Sequence, residues 1–170
     1  MLKITEKNVK SILSKTKLGN DFVINPYTGC MHKCIYCYAR FMRKYSGHTE
    51  PWDLFVDVKI NASELIKIDK KYMKKSILMS SVTDPYQPIE NKYKVTRKII
   101  EKLIPLQPDL QIITKSDLVL RDIDLLKKFS NCEIVMSLSF LDRKISKQLE
   151  PLASLPAKRL AALKIETNIN

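Results

Sequence analysis

Glycine is scarce in this 170-residue sequence, at three residues, and neither low-complexity stretches nor internal repeats occur. Nothing in the interior therefore reads as a flexible linker, and a single domain over residues 1–170 is expected. Long apolar runs are missing too. No window approaches the ~20 apolar residues of a membrane span, and charge interrupts Met1 to Lys17 throughout, leaving no signal-peptide core. These absences argue against export and membrane insertion and lead us to expect a cytoplasmic protein. Acidic residues are few, 18 against 30 Lys+Arg, for a net charge of +12. Arginine supplies only Arg40, Arg43, Arg97, Arg121, Arg143 and Arg159 of that total. The lysine excess has two readings that stand side by side: a polyanionic partner such as nucleic acid, or a genome-wide compositional bias.

What remains is globular in character, with 45% hydrophobic and 28% charged residues. From about residue 76 onward, β-rich runs alternate with amphipathic segments. Strands are expected at Phe22–Ile24, Ile77–Val82, Leu110–Thr114 and Glu133–Leu138, with an alternating segment at Phe55–Ile60. Helices are expected near Tyr38, over Thr96–Ile104, over Asp122–Phe129 with Asp122 as N-cap, over Asp142–Leu149, and from about Pro156. Asn61–Lys75 reads as a further helix, with Asn61 and Glu64 as a capping pair. Leu65, Ile68, Tyr72 and Met73 lie on one face, and Lys67, Lys70, Lys71, Lys74 and Lys75 on the other. That lysine face suits phosphate tracking or, equally in pattern, the solvated side of a surface helix. Alternating strands and helices argue for a parallel sheet in the α/β class, whose ligands sit at the carboxyl ends of the strands. The cysteine loop, Thr83 and Asp84, Lys115 and Ser116, and Ser139 are then expected on one rim.

Three of the four cysteines, Cys30, Cys34 and Cys37, fall within eight residues. Clustered thiols in a chain without export signals point to a metal rather than to disulfides. The spacing Cys30-x3-Cys34-x2-Cys37 brings three thiolates to one loop, one ligand short of a closed four-cysteine site. An iron-sulfur cube held this way keeps one iron open for a substrate or cofactor. A structural zinc would need a fourth ligand, and His32, His48 and the remote Cys132 are the available candidates. Cys132 reads more simply as a small buried residue at a strand start, His32 and His48 as loop residues, and Asp84, before Pro85, as a turn opener.

The run Asn25-Pro26-Tyr27-Thr28-Gly29-Cys30-Met31-His32-Lys33-Cys34-Ile35-Tyr36-Cys37-Tyr38-Ala39-Arg40 resembles the signature loop of the radical S-adenosylmethionine superfamily, in its spore photoproduct lyase-like or DNA repair photolyase-like branch. Further matches occur at Thr83 to Glu90, at Thr114-Lys115-Ser116, and at Glu150-Pro151 followed by Arg159-Leu160, over roughly residues 20 to 165. The resemblance implies a partial (βα) barrel, with about four core parallel strands present and the C-terminal βα units missing, as in a truncated gene product. It implies a 4Fe-4S cluster on Cys30, Cys34 and Cys37, and S-adenosyl-L-methionine chelated at the open iron. It also implies reductive cleavage of that cofactor to a 5′-deoxyadenosyl radical. The same match puts Tyr36 against the adenine, Thr83 and Asp84 near the methionine amino group, and Lys115 with Ser137 or Ser139 at the methionine carboxylate. A flavodoxin or ferredoxin as electron donor and nucleic acid as the target follow from the same branch. One position departs from it: Ser81 stands where the lyases carry a hydrogen-donating cysteine, and a hydroxyl gives up a hydrogen atom far less readily than a thiol. The rivals are a non-catalytic, basic nucleic-acid-binding module with a structural zinc in the cysteine loop, and an inactive truncated fragment of the superfamily that the sequence resembles.

Overall fold

The computed structural model describes residues 1–166. Its strands are β1 (Lys3–Lys7), β2 (Leu13–Lys15), β3 (Phe22–Ile24), β4 (Tyr27–Thr28), β5 (Phe55–Lys59), β6 (Ser76–Met79), β7 (Asp109–Thr114) and β8 (Cys132–Met136). The α-helices are α1 (Glu90–Tyr93), α2 (Val95–Leu103), α3 (Ile123–Leu126), α4 (Arg143–Leu149) and α5 (Pro156–Glu166), with several 3₁₀ turns between elements. The main sheet runs β2-β3-β6-β7-β8. Its four central and far strands are parallel, as the alternating pattern predicts, and β2 adds an antiparallel edge against β3.

Side-chain alternation along β7 decides which face holds the core. Leu110 and Ile112 are buried with Ile99, Ile100 and Leu103 of α2, Leu125 and Leu126 of α3, and Ile134 of β8. Each such side chain contributes about 1.5–3 kcal/mol by leaving water. Gln111 and Ile113, one residue out of phase, line a cavity on the other face. That alternation makes the sheet a wall between a packed core and a hollow.

A second sheet, β1-β5-β4, lies outside the parallel pattern. In it β5 pairs in parallel with β1, with Thr5 opposite Asp57, and antiparallel with β4. It closes over a small cluster of Ala39, Trp52 and Phe55. His48 stacks on Phe55 at 3.9 Å between centroids and bonds Asp57 at 2.8 Å, so it serves this sheet.

Several sequence expectations need correction. Asn61–Lys75 is not a helix but two 3₁₀ turns, Ala62–Leu65 and Lys70–Tyr72, and Ile68 and Met73 are exposed. The Asn61 side chain does not cap; it bonds both backbone groups of Val9, tying the segment to the N-terminal strand. The lysine face goes with the helix, since Lys71 pairs with Asp69 and Lys75 lies near Asp21. The helix near Tyr38 is a 3₁₀ helix, Tyr38–Tyr45. Asp122 does not cap α3, because its buried carboxylate is taken by Arg97 and Arg121. Asp142 does cap α4, accepting from the Lys144 and Ile145 amides. Strand β6 ends at Met79, short of Val82, where the Asn25 carboxamide draws the Ser81 and Val82 amides away from the ladder.

Candidate metal and cofactor site

The cysteine loop leaves the main sheet after β3 and crosses the carboxyl ends of its neighbours. Gly29 makes this course feasible at φ +90°, with the carbonyl oxygen of Phe55 only 2.3 Å from where a β-carbon would stand. Beyond it the loop is anchored from two distant segments. The Gln87 carboxamide, fully buried, accepts from the Met31 amide at 2.8 Å, and the Thr83 hydroxyl donates to the Gly29 carbonyl at 2.7 Å. From the C-terminal side, Leu149 O accepts from Ile35 N at 3.0 Å, and Leu152 N donates to His32 O at 3.2 Å. Cys30, Cys34 and Cys37 are all free and partly exposed.

The three cysteines line one cavity of about 390 Å³ together with Tyr36, Thr83, Asp84, Lys115, Ser137 and the Ser80–Val82 segment. The structure therefore brings eight of the nine sequence-predicted site residues to one hollow at the strand ends. Ser139 is the exception, exposed outside the wall with its hydroxyl 3.2 Å from that of Tyr36. Two larger, open hollows lie at the opposite ends of the strands, around Asp109 and Cys132 and around Lys15 and Lys71; neither holds the thiol trio.

Asp84 is more than a turn opener. One carboxylate oxygen accepts from the Tyr86 amide, which makes the turn, and from the Thr114 hydroxyl at 2.7 Å; the other accepts from the Lys115 amide at 2.8 Å. It thereby locks the end of β7 against the turn that follows β6. His32, buried, places Nδ1 3.3 Å from the same carboxylate without hydrogen-bond alignment. Burial pushes the Asp84 carboxyl up, but the His32 ring, the Lys115 amide and the Thr114 hydroxyl outweigh it and hold the group below its ordinary value.

The thiols are shifted the other way. Burial, reinforced by the Asp84 carboxylate, pushes the Cys30 thiol far up. Burial also pushes Cys34 up to about 11, against the opposing pull of the Lys115 ammonium. Ligation of these two sulfurs must then release protons. Among the described residues, no group of three or more His, Cys, Asp or Glu side chains is already drawn together as a metal site. Of the candidates for a fourth zinc ligand, His48 is held in the second sheet and Cys132 lies at the far end of β8, whereas His32 lines the same hollow as the thiols with Nδ1 3.3 Å from the Asp84 carboxylate. Three soft thiolates spread around one hollow match the donor set of an iron-sulfur cube.

Sequence reasoning passed over three groups that build this site. His32 reads as a loop residue yet is buried at its centre. Gln87 and the Glu150–Arg159 pair lie within segments that carry the resemblance, but their buried side chains have no local periodicity to reveal them. A buried amide or ion pair that matches a motif without matching a helix or strand period is the signal that could have found them.

The model of the radical SAM superfamily matches residues 24–168. The chain is 44% identical over 164 residues to the uncharacterized protein MJ0683 of Methanocaldococcus jannaschii, covering 96% of this chain and 62% of that one. It is 33% identical to the uncharacterized protein ORF301 of Acidianus two-tailed virus, covering 87% and 52%. Among solved structures, spore photoproduct lyase complexed with dinucleoside spore photoproduct superposes at a TM-score of 0.74 with 19% identity, over 98% of this chain and 48% of the lyase. A variant of that lyase with bound AdoMet superposes at 0.72 with 18% identity. The chain thus spans about half to three fifths of the length of the relatives it matches.

Proposed function

Because this chain belongs to the radical SAM superfamily, whose cofactors are a 4Fe-4S cluster and S-adenosylmethionine, we propose that Cys30, Cys34 and Cys37 hold the cluster and that the cavity beside them receives S-adenosylmethionine. When bound, the pair supplies one-electron cleavage of a sulfonium C–S bond and a 5′-deoxyadenosyl radical that abstracts hydrogen. The observation that carries this reading is the convergence of three thiols, Asp84 and Lys115 on one hollow at the strand ends.

The chain's own residues orient and shield. Lys115 offers a mobile point charge to the methionine carboxylate, with Ser137 beside it. Tyr36, partly exposed at the cavity mouth, offers its ring to the adenine. The Thr83 hydroxyl and both Asp84 oxygens bond protein partners, which keeps this part of the wall rigid beside the place proposed for the amino group. Leu78, Val82 and Ile113 make part of the wall apolar and exclude water.

For the target we propose nucleic acid, with a flavodoxin or ferredoxin as electron source. The support is a ridge at the mouth of the cavity. Along the 3₁₀ helix Tyr38–Tyr45, residues three apart eclipse, so Tyr38, Phe41 and Lys44 share one side and Arg40 and Arg43 another. Tyr38, Phe41 and Tyr45 are exposed, and the helix contains no acidic residue. Exposed rings interleaved with cations are the elements of a base-stacking, phosphate-tracking surface.

Anaerobic reconstitution of the 170-residue chain checks the central claim. About four irons per chain and a brown protein are expected, with both lost in Cys34→Ala. Stoichiometric zinc without iron would instead favour the structural-zinc binding module. Nucleic-acid affinity titrated against salt checks the target. A steep fall with rising salt is expected, whereas a flat response removes the role given to the ridge.

A further inference from the structure

The segment after α4 carries chemistry that the cofactor reading does not use. Glu150 and Arg159 are both fully buried, with Arg159 Nη2 donating to Glu150 Oε2 at 2.5 Å. Arg159 also donates to the Ser154 carbonyl at 2.7 Å and the Ser137 carbonyl at 2.9 Å. The guanidinium therefore fixes the carboxylate to the end of β8 and to the turn leading into α5. The second carboxylate oxygen faces the site: Glu150 Oε1 accepts from the Tyr36 hydroxyl and lies 4.0 Å from Lys115 Nζ. Lys115 Nζ in turn sits 5.9 Å from the centroid of the Tyr36 ring, and Phe140 meets that ring edge-on, also at 5.9 Å. Ser154 N donates to Lys115 O at 3.1 Å, so Lys115 is held from both ends.

We propose that Glu150, anchored by Arg159, is a positioning residue that sets the tilt of the Tyr36 ring and the reach of the Lys115 ammonium at the cavity mouth. The inference rests on the cofactor reading above for its functional consequence, but its structural half stands without it. A carboxylate with no exposed surface has no solvent role, and burying it beside an arginine is weak as a stabilising device, because desolvation consumes most of the attraction. What the pair provides is direction, since one oxygen is saturated by Arg159 and the other is aimed at two groups of the site. Outer partners that orient ligand-binding groups typically change affinity by about 10–100-fold when removed.

The test uses the 170-residue chain in two states. In the iron-free protein, hydrogen exchange of the Ile35–Tyr38 amides is followed for wild type, Tyr36→Phe and Glu150→Gln. Both variants are expected to exchange faster by about tenfold, with the double variant no faster than the singles, because Tyr36→Phe removes the donor and Glu150→Gln, its one remaining acceptor oxygen held by Arg159, turns an amide nitrogen toward the Tyr36 hydroxyl in place of the acceptor. In the reconstituted protein, equilibrium dialysis is expected to show S-adenosylmethionine binding about tenfold more weakly in Glu150→Gln, with iron content unchanged. Where turnover is measurable, KM for S-adenosylmethionine is expected to rise more than kcat falls. Tyr36→Phe removes a single hydroxyl and leaves the buried pair intact, so it carries the test if Glu150→Gln fails to fold. Wild-type exchange rates in the Tyr36→Phe variant overturn the proposal. Wild-type affinity in a folded Glu150→Gln overturns it as well. Failure of the wild type itself to take up iron or bind S-adenosylmethionine strikes the cofactor reading instead, and leaves the exchange experiment to decide the positioning claim.

Discussion

Replacing Gly29 with alanine tests how the cysteine loop is held, and a built-in control separates its two costs. Gly29 and Gly47 have positive φ, +90° and +77°, which strains any residue bearing a β-carbon. That strain is worth about 1–2 kcal/mol. At Gly47 a β-carbon meets nothing within 4 Å, so Gly47→Ala is expected to cost the strain alone. At Gly29 the same atom lands 2.3 Å from Phe55 O, 3.2 Å from Phe55 C and 3.3 Å from Val56 Cα. These are backbone atoms of β5 that no rotamer change can move. Forcing a methyl group into a packed site adds about 1–3 kcal/mol. Gly29→Ala should therefore destabilise by roughly 2–5 kcal/mol. Urea unfolding of the iron-free protein at fixed pH reads both variants on one scale. Because Cys30 follows directly, Gly29→Ala is also expected to lower iron uptake, while Gly47→Ala leaves uptake intact. Equal destabilisation by the two substitutions would refute the close approach of the loop to β5.

Two further outcomes follow from groups away from the cavity. Burial lowers Lys59 to about 8 from an ordinary 10.5, with its ammonium donating to the Asn25 carbonyl at 2.7 Å. The unfolded chain then holds this proton more tightly than the folded one. The charged lysine thus costs stability at and below pH 8, and the cost is relieved as pH rises from about 8 to 10.5. The stability difference between Lys59→Met and wild type should fall by at most about 3 kcal/mol over that window, and a flat difference in unfolding free energy contradicts the burial argument. Asp142→Ala removes the side-chain acceptor of two amides at the start of α4 and should cost about 1 kcal/mol in thermal or urea melts, with Asp142→Asn recovering most of it.

The parts of this fold legible in the sequence are those where burial imposes a period. Apolar runs mark β3, β6, β7 and β8 because a parallel sheet covered on its core face needs them, and the rule of strand carboxyl ends then puts Thr83, Asp84 and Lys115 beside the cysteine loop, while Ser116, buried as the cap of the next turn, and Ser139, exposed, fall outside the hollow. Strand β1 was not legible: KITEK is largely exposed, and its extended form comes from pairing with β5, about fifty residues away. The 61–75 segment misleads for the opposite reason. Its charges recur at helical spacing, but the Asn61 side chain is captured by Val9 and the backbone breaks into two short turns. Within the site, residues with a chemical signature could be named in advance, whereas Gln87, Glu150 and Arg159 act through contacts that local patterns do not encode.

The anchoring of the cysteine loop also sets an order of events during synthesis. The Tyr36 hydroxyl finds its carboxylate 114 residues downstream, and the Ile35 and His32 backbone bonds wait for the same segment. At a translation rate of roughly 5–20 residues per second, the three thiols emerge on the order of ten seconds before the C-terminal residues that complete their anchoring. Contacts of such span close slowly and after local structure. Through that interval the nascent loop presents its cysteines to oxidants and stray metals, so the cell's handling of the unfinished chain bears directly on how much of it matures.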